Sequence, residues 1–500
     1  MTVRWGATAR EVPVEGDGTA WLGIDLGTQG VRALLVTGDG TVLGGGASPL
    51  AGRRAGVRHE QDPAQWWDAV CAASRAALAD RPAARIGGLA VCATSGTVLL
   101  TDGSGRPLTP GLMYDDGRAA AQAGRARRAG LRVQNGWGLP KAMWLVEEYG
   151  PARIAHQADV IVTRLLGRPA PTDSGHALKT AYDLEHDTWP YTALAGLGLT
   201  GDLLPEVVRP GSALGTVHPE AAERTGIPAG TPVIAGTTDG CAAQIASGAL
   251  SEGSWNAVLG TTLVLKGVAR HPVRDDTGVV YNHRAPDGSW LPGGASGVGA
   301  GALRAAFPGA DPAALDRVAA AHEPASVLAY PLVSPGERFP FLAPDAVPLV
   351  LGTPTSDADL WAALLQGVGL VERLCLDYLH HLGAPLEGPL TLTGGAARSP
   401  YWNQLRADIL GRPARVPERT ETALGMAVLA AYGTGGAATL AEAAAPMVRV
   451  RTVLTPRPAR TARFADPYAR LVDVLEERGW LPAPVAAHAH ARLDLDTAGS

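Results

Sequence analysis

Apolar and polar positions alternate through the first fifty residues. AWLGID, GVRALLVT and TVLGGGA, joined by LGTQ and GDG turns, predict three successive strands that begin near residue 20. DPAQWWDAVCAASRAALAD then changes to helical spacing. Asp62 is placed to cap that helix, and Pro63 suits its first turn. IGGLAVCA and TVLLTD read as two further strands, and the segments 140–149 and 151–167 as helices. A second strand cluster is expected at TPVIAGTT, SWNAVLGTT and LVLKGVA. Beyond residue 355 the helical period dominates, in LWAALLQGVGLVERLCLDYLHHLG, YWNQLRADILG and ALGMAVLAAYG. Residues 1–19 and 484–500 show no comparable pattern and are expected to be tails.

One element repeats. Leu26-Gly27-Thr28 lies between two predicted strands, and so does Leu259-Gly260-Thr261, 233 residues later. The tripeptide means little among 63 glycines, but the shared strand–turn–strand context points to duplication. Two α/β domains of related fold are expected, over 20–249 and 250–483, with a cleft between them and one such turn from each facing it.

Composition narrows the function. At 500 residues with 46% hydrophobic residues, the chain can bury more than one core. Its formal net charge of -5 argues against a nucleic-acid partner. Four scattered cysteines, with no C-x-x-C, encode neither a disulfide framework nor a zinc ribbon and suit a cytoplasmic protein. No apolar run is long enough for a membrane span or a secretory signal. Arginine outnumbers lysine 40 to 3, so Lys141, Lys179 and Lys266 are conspicuous as the positions that kept a compact ammonium.

A Gly-Thr turn offers backbone N–H groups and a hydroxyl, both suited to a phosphate chain. Each turn also has a carboxylate nearby: Asp25 ends the first strand, and Asp239 follows a second in GTTDG. Beside phosphates a carboxylate can hold a metal through water or accept a proton from an attacking hydroxyl. Either aspartate alone also suits turn capping. A third Gly-rich element, TLTGGAARSPYWNQLRADILG, reads as strand, Gly394-Gly395 turn and helix, a nucleotide-edge geometry.

DLGTQGVRALLV, GTTDG, LGTT and LTGGAARSPYWNQLRADILG, in this order, resemble the FGGY carbohydrate kinases. EQDPAQWW, YDDGRA, DSGHALKTAYDL and PGERFPF add to the likeness, which spans roughly residues 20–480. The resemblance implies two ribonuclease-H-like domains of the actin-like ATPase superfamily, with an interdomain cleft. It implies ATP and Mg²⁺ as cofactors, and a small-molecule ketose with ATP as the only partners; a homodimer stays open. By the same likeness Asp239 is the general base, and Asp25, Ser95 and Asp239 contact the sugar. Asp25 would also hold Mg²⁺ through water. Thr28, Gln29, Gly260, Thr261, Thr262, Gly394, Gly395, Ala396 and Ser399 would bind ATP.

Typical xylulokinases of the family carry Ser-Gly-Gln-Met-His; the matching stretch here, Ala93-Thr94-Ser95-Gly96-Thr97, lacks the histidine. It is similar instead to the plant and cyanobacterial D-ribulose kinases. D-Ribulose is therefore the expected acceptor, with D-xylulose, another ketose or polyol, and a non-catalytic actin-like sugar sensor as alternatives. Tyr114, Asp116, Arg118, Glu337 and Arg338 fall in family-like segments too, where local ion pairing accounts for the charges equally well.

Overall fold

The computed structural model describes residues 18–79 and 85–498. The expected N-terminal tail lies outside these residues except for Gly18 and Thr19, and Thr19 already opens the first strand. The chain divides into two compact units. The first holds residues up to Gly248 with 283–288 and Arg419–Arg449; the second holds Ala249–Asn282, Ser289–Glu418 and Val450 onward.

In the first unit, β1 (Thr19–Leu26), β2 (Gly30–Thr37) and β3 (Val42–Pro49) form the predicted antiparallel meander. β4 (Arg85–Ala93) pairs parallel to β1, and the sheet continues through β5 (Ala213–Thr216) and β6 (Pro232–Ile234), in the order β5-β6-β4-β1-β2-β3. In the second unit, β7 (Trp255–Leu259), β8 (Leu263–Gly267), β9 (Trp290–Ser296), β10 (Leu390–Thr393), β11 (Ala414–Pro417) and β12 (Val450–Leu454) include the run β9-β8-β7-β10-β11-β12. The two runs share one pattern. A central strand has two antiparallel neighbours in succession on one side, and on the other two parallel strands and an antiparallel edge. Leu26-Gly27-Thr28 and Leu259-Gly260-Thr261 occupy the same hairpin of each, as duplication requires.

Each unit has its own apolar core, around Ile24, Leu35, Trp66 and Val91 in the first and Trp255, Tyr330, Phe339 and Leu374 in the second. The helix Pro63–Leu78 is capped by Asp62, whose carboxylate accepts from Ala64 N at 2.9 Å.

Three features depart from the sequence reading. Helix Thr422–Gly433 belongs to the first unit although it lies within the span expected for the second domain. Its residues Ala423–Ala431 are all buried, so it needs apolar cover on every side. Gly23 of β1 provides it with close contact: a Cβ there would lie 1.7 Å from the Ala423 carbonyl oxygen. Secondly, the helix expected over 151–167 starts at Gln157; Arg153–His156 is a strand paired with Val98–Thr101. Thirdly, the expected C-terminal tail is a helix, Ala483–Ala498, which buries Val485, Ala486, Ala489 and Leu493 in the second core. No helix among the described residues is long and apolar enough to cross a membrane.

Candidate active site

Parallel strands deliver their C-terminal ends to one edge, where ligands of α/β sheets are usually bound. In the first unit, Leu26 is level with Ala93, and Ala93 bridges to Thr238. Three successive strand ends therefore present Gly27-Thr28, Thr94-Ser95 and Thr238-Asp239 side by side. This brings together Asp25, Thr28, Gln29, Ser95 and Asp239 from positions more than two hundred residues apart.

Asp25 is buried, opposite Cys92 in the β1–β4 ladder and Arg32 in the β1–β2 ladder. The Cys92 thiol lies 3.6 Å from its Oδ1, and an Arg32 guanidinium nitrogen lies 3.8 Å from its Oδ2. Burial holds the Asp25 carboxyl above the usual carboxylate range; the charge of Asp239 adds to this, while a Thr422 hydrogen bond and Arg32 oppose it. Asp239 is the first residue of helix Asp239–Ala246 and half-buried. The helix is capped by the preceding Thr238, whose hydroxyl accepts from Cys241 N, so the Asp239 carboxylate is not needed as the cap. Burial raises the Cys92 thiol and the Tyr114 hydroxyl, and the Asp239 charge adds to both; burial lowers His176, but Asp173 and, to a smaller degree, Asp239 raise it overall.

The Ser95 hydroxyl is buried and has no hydrogen-bond partner among the described residues. An orphaned polar group of this kind is expected where a ligand completes the site. Thr97 is different: its hydroxyl lies 2.5 Å from that of Thr94, which is also bonded to Gln157, so it is held inside the protein. The first Gly-Thr turn closes through Gly27 N donating to Gly30 O at 3.0 Å. Gln61 braces it, donating to Thr28 O at 2.7 Å while accepting from the Trp66 indole at 2.7 Å. Gln61 and Cys92 escaped the sequence reading, because their contacts span 33 and 67 residues.

In the second unit, β7 and β10 run parallel, with Val258 level with Thr393. Their adjacent ends place Gly260-Thr261-Thr262 beside Gly394-Gly395-Ala396. Gly394 has φ +85°, and a Cβ there would lie 2.5 Å from Leu259 O, so only glycine fits against the second turn. Ala300 N and Gly301 N, at the start of helix Ala300–Ala306, donate to Gly260 O and Thr261 O at 3.1 and 3.0 Å. The Thr261 hydroxyl accepts from Arg304 at 2.8 Å. Ser399 caps helix Pro400–Leu410: its hydroxyl accepts from Trp402 N at 3.0 Å and donates to Asp316 at 2.7 Å. That hydroxyl is already engaged within the protein, whereas Gly395 opens onto free space.

The remaining candidates make contacts within the protein. Asp116 and Arg118 form a buried bidentate pair, with Glu60 as a second partner of Arg118. Glu337 accepts from the backbone N–H of Arg338 at 2.9 Å but is not ion-paired with its guanidinium among the described residues. It accepts from Gly297 N, Ser296 and Tyr330 at 2.6–2.9 Å, and Arg338 donates instead to Ala295 O. Lys141 is fully buried and donates to Met113 O and Gly136 O at 2.8 and 3.0 Å. Burial pulls its ammonium down to about 7. Lys179 reaches Ser95 O at 3.5 Å, and Lys266 lies 5.8 Å from the Tyr281 ring.

Comparison with known proteins shows the family. Residues 20–246 match the N-terminal domain of the FGGY family of carbohydrate kinases, and residues 255–434 match its C-terminal domain. A xylulose kinase of Streptomyces rubiginosus is 32% identical over 493 residues, spanning 92% of this chain and 97% of that protein. A gluconokinase of Bacillus subtilis is 27% identical over 455 residues, spanning 83% and 87%. The crystal structure of a xylulose kinase from Rhodospirillum rubrum superposes with a TM-score of 0.81 at 26% identity, over 92% of this chain and 99% of that one.

Proposed function

Because the chain belongs to the FGGY family of carbohydrate kinases, we propose that it transfers the γ-phosphoryl group of ATP to a ketopentose, D-ribulose, giving D-ribulose 5-phosphate. The observation that carries the choice of sugar is that Thr97-Val98-Leu99 stands where typical xylulokinases have Gln-Met-His after the same Ser-Gly, so that no histidine accompanies the Ser95 hydroxyl, which is buried with no partner among the described residues. D-Ribulose and D-xylulose differ only at C3, and a site that hydrogen-bonds one C3 hydroxyl leaves its partner unpaired with the epimer. The relatives named xylulose kinase favour a second reading, in which D-xylulose is the better acceptor.

In this reaction Asp239 accepts the proton of the attacking C5 hydroxyl, and Asp25 and Ser95 orient the sugar. Thr28 and Gln29 in the first turn, and Gly260, Thr261 and Thr262 in the second, bind the polyphosphate through backbone N–H groups and hydroxyls. Gly394, Gly395, Ala396 and Ser399 shape the adenosine site, with Gly394–Ala396 supplying its backbone wall.

Mg²⁺ is held in such sites mostly by phosphate oxygens and water, with one or two carboxylates. The residues fit that requirement. Among the described residues no three of His, Cys, Asp or Glu gather to hold a metal, whereas Asp25 and Asp239 are two carboxylates in mutual repulsion that a cation would relieve. Asp25 would hold the ion through water, and the ion would supply charge neutralisation on the phosphates.

Steady-state rates with D-ribulose and D-xylulose test the sugar. kcat/KM is expected to be higher for D-ribulose, and Ser95→Ala is expected to lower that value about tenfold, the worth of one hydrogen bond, with ATP KM unchanged. A higher kcat/KM for D-xylulose would make the second reading correct. Thr261→Val is expected to raise the ATP KM about tenfold with little change in the ketose KM, and Thr261→Ser to restore it. An unchanged ATP KM would remove the second turn from the nucleotide site.

A further inference from the structure

Three histidines that phosphoryl transfer does not use meet in the second unit. His380 and His381 end helix Asp357–His381, and His488 lies in the C-terminal helix Ala483–Ala498 packed against it. His380 Nδ1 and His488 Nε2 are 3.1 Å apart, with ring centroids 5.2 Å apart and planes inclined by 27°. His381 meets His488 edge-on, with centroids at 5.0 Å. His380 and His488 are half-buried and His381 is exposed, so solvent reaches the group.

The separation fits chelation. With metal–imidazole bonds of about 2.05 Å, two nitrogens on one ion stand about 2.9 Å apart at a right angle and about 3.3 Å apart at the tetrahedral angle. The observed 3.1 Å lies between these values. We infer that His380 and His488 form a site for a borderline divalent cation of the Zn²⁺ or Ni²⁺ type, which bridges the last turn of Asp357–His381 to the C-terminal helix.

Without metal, one ring donates its N–H to the other. On binding, that ring takes its other tautomer, its proton moving to the far nitrogen through solvent, and both facing lone pairs ligate the ion. Water completes the coordination, since no three ligating side chains converge among the described residues. Asp377 is not available as a ligand: Arg492 donates to it at 2.6 Å and Tyr468 at 2.5 Å. Imidazole selects borderline transition ions over Mg²⁺, so this site is chemically separate from the carboxylate site of the kinase reaction. Its effect is mechanical. The C-terminal helix is held by a short apolar stripe and by the Arg492–Asp377 and His490–Asp473 bonds, and a metal crosslink adds a further attachment near its middle.

The test uses the full chain, stripped with EDTA, in calorimetric unfolding with NiCl₂ or ZnCl₂ added. A metal concentration about tenfold above Kd is expected to raise Tm by about 2–4 °C, and MgCl₂ at the same concentration to leave it unchanged. His488→Gln and, separately, His380→Gln should abolish the rise. His490→Gln, whose ring is bonded to Asp473 at 2.9 Å, should retain it. Absence of a rise in the wild-type chain, or a full rise in both His488→Gln and His380→Gln, would overturn the site.

Discussion

Asp239→Asn is expected to leave the protein folded and able to bind ATP, and to lower phosphoryl transfer about 10²–10⁴-fold, the usual contribution of a general base. The substitution is nearly isosteric, and the carboxylate does little locally. Thr238 caps the helix, and the bond to the carboxylate, from Gly240 N to Oδ1 at 2.8 Å, can be accepted equally by an amide oxygen. Loss of activity with an unchanged Tm would therefore report chemistry rather than folding. A second readout is independent of turnover. The Asp239 charge helps to raise the Asp25 carboxyl, so Asp25 should titrate at lower pH in the variant, as followed by carboxyl ¹³C NMR. Near wild-type turnover would remove Asp239 from the role assigned to it.

The largest effect on stability is expected at Arg406. Its Nε and Nη2 donate to the two oxygens of Glu372, both at 2.7 Å, and both side chains are fully buried between helices Asp357–His381 and Pro400–Leu410. Arg406→Met leaves the Glu372 charge buried and unpaired, at a cost of about 3–5 kcal/mol. For a unit of this size the unfolding midpoint should drop on the order of 10 °C. Glu372→Leu combined with Arg406→Met removes both charges and should recover most of that loss, because the pair opposes its own desolvation. Calorimetry of the single and double variants checks this. A single variant as stable as wild type, or a double variant no better than the single, would show that the pair does not work in this way.

Much of the fold was legible where local chemistry and burial agree. The β1–β3 meander follows from alternation, and the Asp62-Pro63 helix start from capping. The repeated Leu-Gly-Thr located the shared ladder pattern of the two sheets, since the turn is the part of a duplicated hairpin that keeps its residues. The return of Thr422–Gly433 to the first unit was not legible. An all-apolar helix has no polar face to say which neighbour it seeks, and the Gly23 contact that receives it is four hundred residues away. The C-terminal helix was missed because small alanines carry its buried face and leave a weak periodic signal.

The site divides in the same manner. Asp25, Ser95 and Asp239, which motifs singled out, sit at adjacent strand ends, where sheet topology places them together. Ser399 shows the limit of a motif. Ser followed by Pro at a helix start is itself a cap signal, and the hydroxyl does act as the cap. Gln61, Cys92 and Arg304 depend on contacts between distant segments and carry no local pattern.

We propose that the chain is an ATP-dependent ketopentose kinase. ADP formation by the purified full chain, with ATP and Mg²⁺ and with D-ribulose, L-ribulose, D-xylulose or L-xylulose in turn, tests it most directly. The account predicts ADP release that depends on the sugar, with the highest kcat/KM for D-ribulose and a matching yield of the 5-phosphate. ADP release that is the same with and without every one of the four sugars would contradict it.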